Sequence, residues 1–96
     1  MPSLAALRAR ADELRGVFAS FGASNIRVFG SAARGDDTSS SDIDFLVDVE
    51  RGRTLLDLIE LELQLGQALG AKVDVLTEGD LSPYLRERIL AEAVDL

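Results

Sequence analysis

The sequence contains no cysteine and no histidine, and those two absences close off whole classes of chemistry. Without cysteine there is no disulfide framework and no thiolate, a usage that fits the cytosol. Without histidine, cysteine–histidine zinc sites, a serine–histidine triad and an imidazole general base are excluded for this chain alone. Any catalysis has to run on carboxylates, hydroxyls, backbone amides, arginine or a bound metal. Long apolar runs are missing too: none approaches the roughly 18 residues needed to cross a bilayer. The N-terminus lacks the basic stretch, apolar stretch and small-residue cleavage site of a secretory signal. The expectation is a soluble cytoplasmic protein with no membrane attachment.

What is present is 96 residues, of which 47% are hydrophobic, enough for one domain over 1–96 with one core. The formal charge of −7 repels nucleic-acid phosphates. A long polynucleotide would have to be held by a local basic patch or by a partner, so no direct binding is expected. Nine of the ten basic residues are arginines.

Apolar spacing supplies the elements. Leu4, Leu7, Ala11, Leu14, Val17, Phe18 and Phe21 recur at three- and four-residue steps, which predicts one amphipathic helix ended by Gly22. Ile26, Val28 and Phe29 make a short strand, and Asp42 to Val49 a second, with a polar connection from Gly30 to Ser41 between them. Thr54, with Asp57 three residues on, resembles a capping box opening a helix that runs to Leu69 and stops at Gly70. Lys72 to Leu76 reads as a third strand, and Ser82 caps a last helix with Pro83 in its first turn. The order helix, strand, strand, helix, strand, helix predicts an α/β (α+β) fold, a small mixed sheet flanked by helices.

The helix after Thr54 is apolar on more than one side. At about 100° per residue, Leu55, Leu56, Ile59 and Leu63 share one arc, while Leu58, Leu61, Leu65, Ala68 and Leu69 share another. Glu62 and Gly66 lie between the arcs. Either the helix is deeply buried in a small fold, or part of its surface is covered by another protein.

The chemistry concentrates between Phe29 and Asp48, in FGSAARGDDTSSSDIDFLVD. Gly30-Ser31 ends one strand, ten residues separate Ser31 from Asp42, and Asp42 and Asp44 open the next strand. Alternation places both aspartates on one face, where two like charges repel. Something positive should sit between them, and with no lysine nearby in the sequence a hard divalent cation such as magnesium is the natural candidate. Glycine lets the backbone approach a phosphate, and amides with the Ser31 hydroxyl can bind its oxygens. Glycine–serine after a strand, or Asp-x-Asp alone, means little; their joint occurrence at this spacing is far more specific.

On these residues the chain resembles the nucleotidyltransferase superfamily with a DNA polymerase beta-like fold, whose signature is glycine–serine, a spacer of this length, Asp-x-Asp, and a third carboxylate on a later strand. The third would be Asp74, which without the resemblance reads as a lone aspartate on a strand face. Over nearly the whole chain, through FGSAARG, SDIDFLVD, LGAKVDVLT and LRERILAEAV, it resembles the minimal nucleotidyltransferases, also called MNT-domain or MntA-like antitoxins. The resemblance implies a polymerase beta-like palm and two magnesium ions. One would be held by Asp42, Asp44 and Asp74 to activate the acceptor hydroxyl, the other by Asp42, Asp44 and the triphosphate. Gly30 and Ser31 would hold the β- and γ-phosphates of ATP. Arg34 either neutralises triphosphate charge or anchors its loop through Asp36 or Asp37. Asp36, Asp37, Asp48 and Glu50 otherwise read as solvated charges, Arg51 and Arg53 as flanks of a helix start, and Tyr84 as a helix-packing residue.

The resemblance further implies AMPylation of a partner, with the small protein neutralising an all-helical HEPN toxin, usually a ribonuclease, by moving AMP onto one of its hydroxyls. Two rivals stand beside this catalytic antitoxin: a binding module that inhibits by contact alone, and an enzyme acting on a small molecule such as an antibiotic. The last would need a substrate-binding lobe supplied by dimerisation; the assembly itself, homo- or hetero-oligomeric, is open at this point.

Overall fold

In the computed structural model Ser3 opens the first helix, α1 (Leu4–Ala9), its hydroxyl accepting the Ala6 amide at 3.1 Å. The structure describes residues 3–35 and 42–96, so the expected roles of Asp36 and Asp37 and the serine run before Asp42 lie outside the described residues. The single N-terminal helix expected from spacing is in fact two. Arg10 leaves helical geometry, and α2 (Ala11–Ser20) restarts behind it. The guanidinium of Arg10 is engaged elsewhere: it donates to the Ala68 carbonyl at 2.8 Å and to both carboxylate oxygens of Glu13. Apolar spacing survives the break because Leu7, Leu14 and Phe18 all reach the core; periodicity reports the buried face, not backbone continuity.

Among the described residues four strands form one mixed sheet in the order β3-β2-β1-β4. The long central pair, β1 (Ala23–Phe29) and β2 (Ile43–Val49), is antiparallel, with an irregularity between Ser24 and Arg27 where Asn25 takes a positive φ. β3 (Val73–Leu76) runs parallel to β2. The crossover between them is α4 (Leu55–Leu69), which opens on the capping box expected at Thr54 and Asp57 and ends at Gly70. The Thr54 side chain accepts the Asp57 amide, and Asp57 accepts the Thr54 amide at 2.8 Å. Thr54→Ala should therefore lower stability by about 1 kcal/mol, read as an earlier urea midpoint with unchanged slope.

β2 has apolar side chains on both faces. Ile43, Phe45 and Val47 join Phe18, Leu61 and Leu65 in the main core under α2 and α4, where the Phe18 and Phe45 rings meet edge to face at 5.1 Å. On the opposite face Leu46, Phe29 and Leu81 form a smaller cluster, packed by Ile89 and Leu90 of α5 (Arg86–Glu92). That last helix begins later than Ser82: residues 82–85 form a turn tied by Arg86 N–H to the Ser82 carbonyl at 2.9 Å. Tyr84, expected to pack a helix, is instead 95% exposed on this turn. β4 (Val94–Asp95), not foreseen, pairs with Val28 and Arg27 of β1. Two residues are too few to carry a period.

The two apolar arcs of α4 have different fates. Leu61, Leu65 and Leu69 are buried, whereas Leu55, Leu56 and Leu63 are each more than three-fifths exposed and Ile59 is 41% exposed. The helix is thus not deeply buried. Between the arcs, Glu62 turns its carboxylate to the outer edge of β3 and accepts the Val75 amide at 2.7 Å. No helix among the described residues is long and apolar enough to cross a membrane.

Candidate active site

At the end of β1 the chain turns sharply through Gly30, with φ 75° and ψ −152°. Backbone of this kind is essentially confined to glycine. A second constraint coincides with it: a Cβ on Gly30 would run into the carboxylate of Asp44. Glycine is needed here so that a carboxylate can lie against the turn. A single helical turn, α3 (Ser31–Arg34), follows, closed by the Arg34 amide on the Gly30 carbonyl at 3.1 Å.

Sheet pairing brings the acids together. Asp44 is the register partner of Phe29 across one side of β2 and of Asp74 across the other. Asp42 lies just before β2, close enough for its charge to act on Asp44. Burial, then the negative charges of Asp74 and Asp42, push the Asp44 carboxyl up to about 6; Arg34 opposes the rise and Glu92 adds to it. Lysine, discounted in the sequence, is present in space: Lys72 Nζ stands 3.6 Å from Asp42 Oδ2. Its side chain is 73% exposed, so it screens that acid weakly.

Sequence reasoning missed Glu92, at the end of α5. Its Oε1 accepts the Gly30 amide at 2.8 Å and Arg34 Nη1 at 2.7 Å, with the side chain only 16% exposed. The Gly30 amide, expected to face a phosphate, is thereby engaged, and Arg34 is anchored by an acid 58 residues away in sequence. The available signal was a charged residue three positions after Ile89, on the flank of the apolar side of α5.

Among the described residues no three acidic groups converge into a closed metal cage. The donor set still fits magnesium, being all-oxygen with like charges crowded at Asp44 that a divalent cation would relieve. Magnesium is usually held by one or two carboxylates, substrate phosphates and waters, not by an all-protein cage.

The family model described as the nucleotidyltransferase domain matches residues 11–96. This chain belongs to the nucleotidyltransferase family. Among its relatives, a Methanocaldococcus jannaschii protein assigned as a protein adenylyltransferase is 47% identical over 75 residues, 78% of this chain and 81% of that one. Protein adenylyltransferase MntA of Thermococcus cleftensis is 42% identical over 74 residues, 77% of this chain and 75% of its own length. A solved structure described as a minimal nucleotidyltransferase superposes with a TM-score of 0.84 at 48% identity, covering 98% of this chain and 96% of that one. The nucleotidyltransferase fold also recurs in the complex of a tri-AMPylated Shewanella oneidensis HEPN toxin with an MNT antitoxin. There the TM-score is 0.69 at 19% identity, over 92% of this chain and 69% of that one, a likeness of fold. The four-stranded mixed sheet with flanking helices is therefore the minimal nucleotidyltransferase architecture.

Proposed function

We propose that this nucleotidyltransferase moves AMP from ATP onto a hydroxyl of a partner protein, and that the partner is a HEPN-family toxin it neutralises as an antitoxin. The names of its relatives support the protein acceptor. The observation that carries the reading is a groove of about 410 Å³ that runs from Ile59 and Leu63, on the exposed arc of α4, to Asp74. Ile59, Leu63 and Gly66 line one end of it and Lys72, Val73 and Asp74 the other. A polypeptide lying on the arc would bring a side-chain hydroxyl to Asp74.

In this reading Ser31 and Arg34 take the β- and γ-phosphates, with Gly30 shaping the turn that presents them. Asp42, Asp44 and Asp74 would hold two magnesium ions, whose chemistry there is to acidify the acceptor hydroxyl and neutralise the leaving pyrophosphate. The acceptor hydroxyl gives up its proton to solvent, its oxygen bonds to the α-phosphorus as the α-phosphorus to bridging-oxygen bond breaks, and pyrophosphate departs. Orientation by the carboxylate face and the turn supplies the in-line approach.

The test is label transfer in an extract of the source cells, from ATP labelled at the α- or the γ-phosphate, with and without magnesium. Wild type should move α-label but not γ-label onto a protein band, and the Asp42→Asn, Asp44→Asn double variant should move neither. The exposed apolar surface equally favours a second reading, neutralisation by contact alone. Absent transfer with intact silencing of a co-purifying helical partner would make that reading the better one. Either way, Leu56→Glu with Leu63→Glu should weaken partner binding by about a hundredfold or more. Tm should move little, because both side chains face solvent. Unchanged partner affinity in a pull-down titration would remove α4 from the interface.

A further inference from the structure

We propose that Glu92 is a positioning residue for nucleotide binding: its carboxylate, fixed between α5 and β4, holds the Gly30 amide and the Arg34 guanidinium so that the turn is set before ATP arrives. The inference rests on the assignment of Ser31 and Arg34 to the triphosphate.

Three observations converge on it. One carboxylate oxygen receives both the Gly30 amide, at 2.8 Å, and Arg34 Nη1, at 2.7 Å. It thereby ties together the first residue of the turn and the last residue of α3. The acid itself is held at both ends. Ile89 and Leu90 pack α5 onto Phe29 and Leu46 on one side, and β4 pairs with β1 directly after it on the other. The side chain is largely buried, and a buried carboxylate with two charge-assisted or amide donors is rigid where a solvated one is not.

The need for such a residue follows from the neighbouring charges. Gly30 lies against Asp44, and Arg34 is within electrostatic reach of the same acid. The attraction of Asp44 for this guanidinium is opposed by the Glu92 carboxylate, 2.7 Å from Arg34 Nη1. Glu92 gives Arg34 a fixed counter-charge on the side of α5. The bond to the Gly30 amide also keeps the turn in the geometry that leaves room for Asp44. A long side chain pre-ordered in this way loses less freedom on binding phosphate.

The role is separable from simple structural support because it acts on the triphosphate end of the nucleotide. Glu92→Gln keeps an oxygen for the Gly30 amide but removes the negative charge that Glu92 sets against Arg34. ATP with a non-hydrolysable α–β linkage, and AMP as the control, would be titrated calorimetrically against the full chain in magnesium. Glu92→Gln should bind the triphosphate about tenfold more weakly, with AMP affinity and Tm close to wild type. On an Arg34→Ala background the same substitution should add almost nothing, since its effect runs through that arginine.

Equal or tighter triphosphate binding by Glu92→Gln would overturn the proposal and make the carboxylate a mere occupant of the phosphate's place. Proportional loss of ATP and AMP binding together with a fall in Tm would also overturn it, leaving only a structural role. A wild-type chain that binds no ATP analogue would overturn the assignment of the turn itself, and this proposal with it.

Discussion

Asp44→Asn is expected to give a protein that melts higher than the parent at pH 7 without added metal, yet transfers nucleotide about a thousandfold more slowly. Both halves come from the same crowding. In the metal-free fold the Asp44 carboxyl is raised from 3.8 to about 6 by burial and by Asp74 and Asp42. Between those two values the folded state binds more protons than the unfolded chain, so stability falls as pH rises. The contribution of Asp44 is full below the unfolded value and is lost as pH passes through the folded one. Above it, the charged acid works against folding. Asparagine carries no such charge. With the shift discounted for partial solvation, the variant should gain about 1–2 kcal/mol at pH 7, or roughly 5–10 °C in Tm for a chain of this size. The gain should shrink toward pH 4. Melting curves from pH 4 to 8 in chelator check it; a variant less stable than the parent at pH 7 would contradict the electrostatic account. The lost transfer reflects removal of the acid that lies between the turn and Asp74.

The second large effect is expected at Gly30. Gly30→Ala meets two obstacles, a backbone conformation nearly closed to other residues and the Asp44 carboxylate in the space of the new methyl. Backbone strain alone is worth about 1–3 kcal/mol, and relief of the overlap moves either the turn or Asp44. We expect a loss of about 2–4 kcal/mol in urea unfolding and a fall in transfer beyond what reduced folding explains. Gly16→Ala is the matched control. Gly16 sits in α2, and a methyl added there would meet nothing within 4 Å, so alanine should stabilise by about 0.5–1 kcal/mol. If the two substitutions behaved alike, the fit between Gly30 and Asp44 would carry no weight.

How far the sequence disclosed this molecule depended on the range of the interaction. The Thr54–Asp57 cap and the Gly70 stop were legible because both are written within a few residues of the feature they make. Alternation along β2 likewise separated Asp44 from Ile43 and Phe45. The rung joining Asp44 to Asp74 was not legible from spacing, because it depends on the register of a parallel pair across the whole of α4; the family resemblance supplied it. Glu92, Lys72 and β4 were missed for the same reason, being contacts between distant segments. The break at Arg10 escaped because its cause, the Ala68 carbonyl, lies in another helix. For α4 the composition posed a question only packing could answer: which arc of leucines the core would claim.

The carboxylate of Glu62 bears on how such a chain survives at high concentration. β3 is the outermost strand on its side of the sheet, and an open edge invites strands of other molecules to add to it. By capping the Val75 amide, Glu62 withdraws a rung from that edge and places a negative charge where an incoming strand would lie. The same helix that offers leucines to solvent thus guards the sheet beside them. The exposed leucines lie on a helix, while the neighbouring strand edge, where added strands can grow into a fibre, carries a charge.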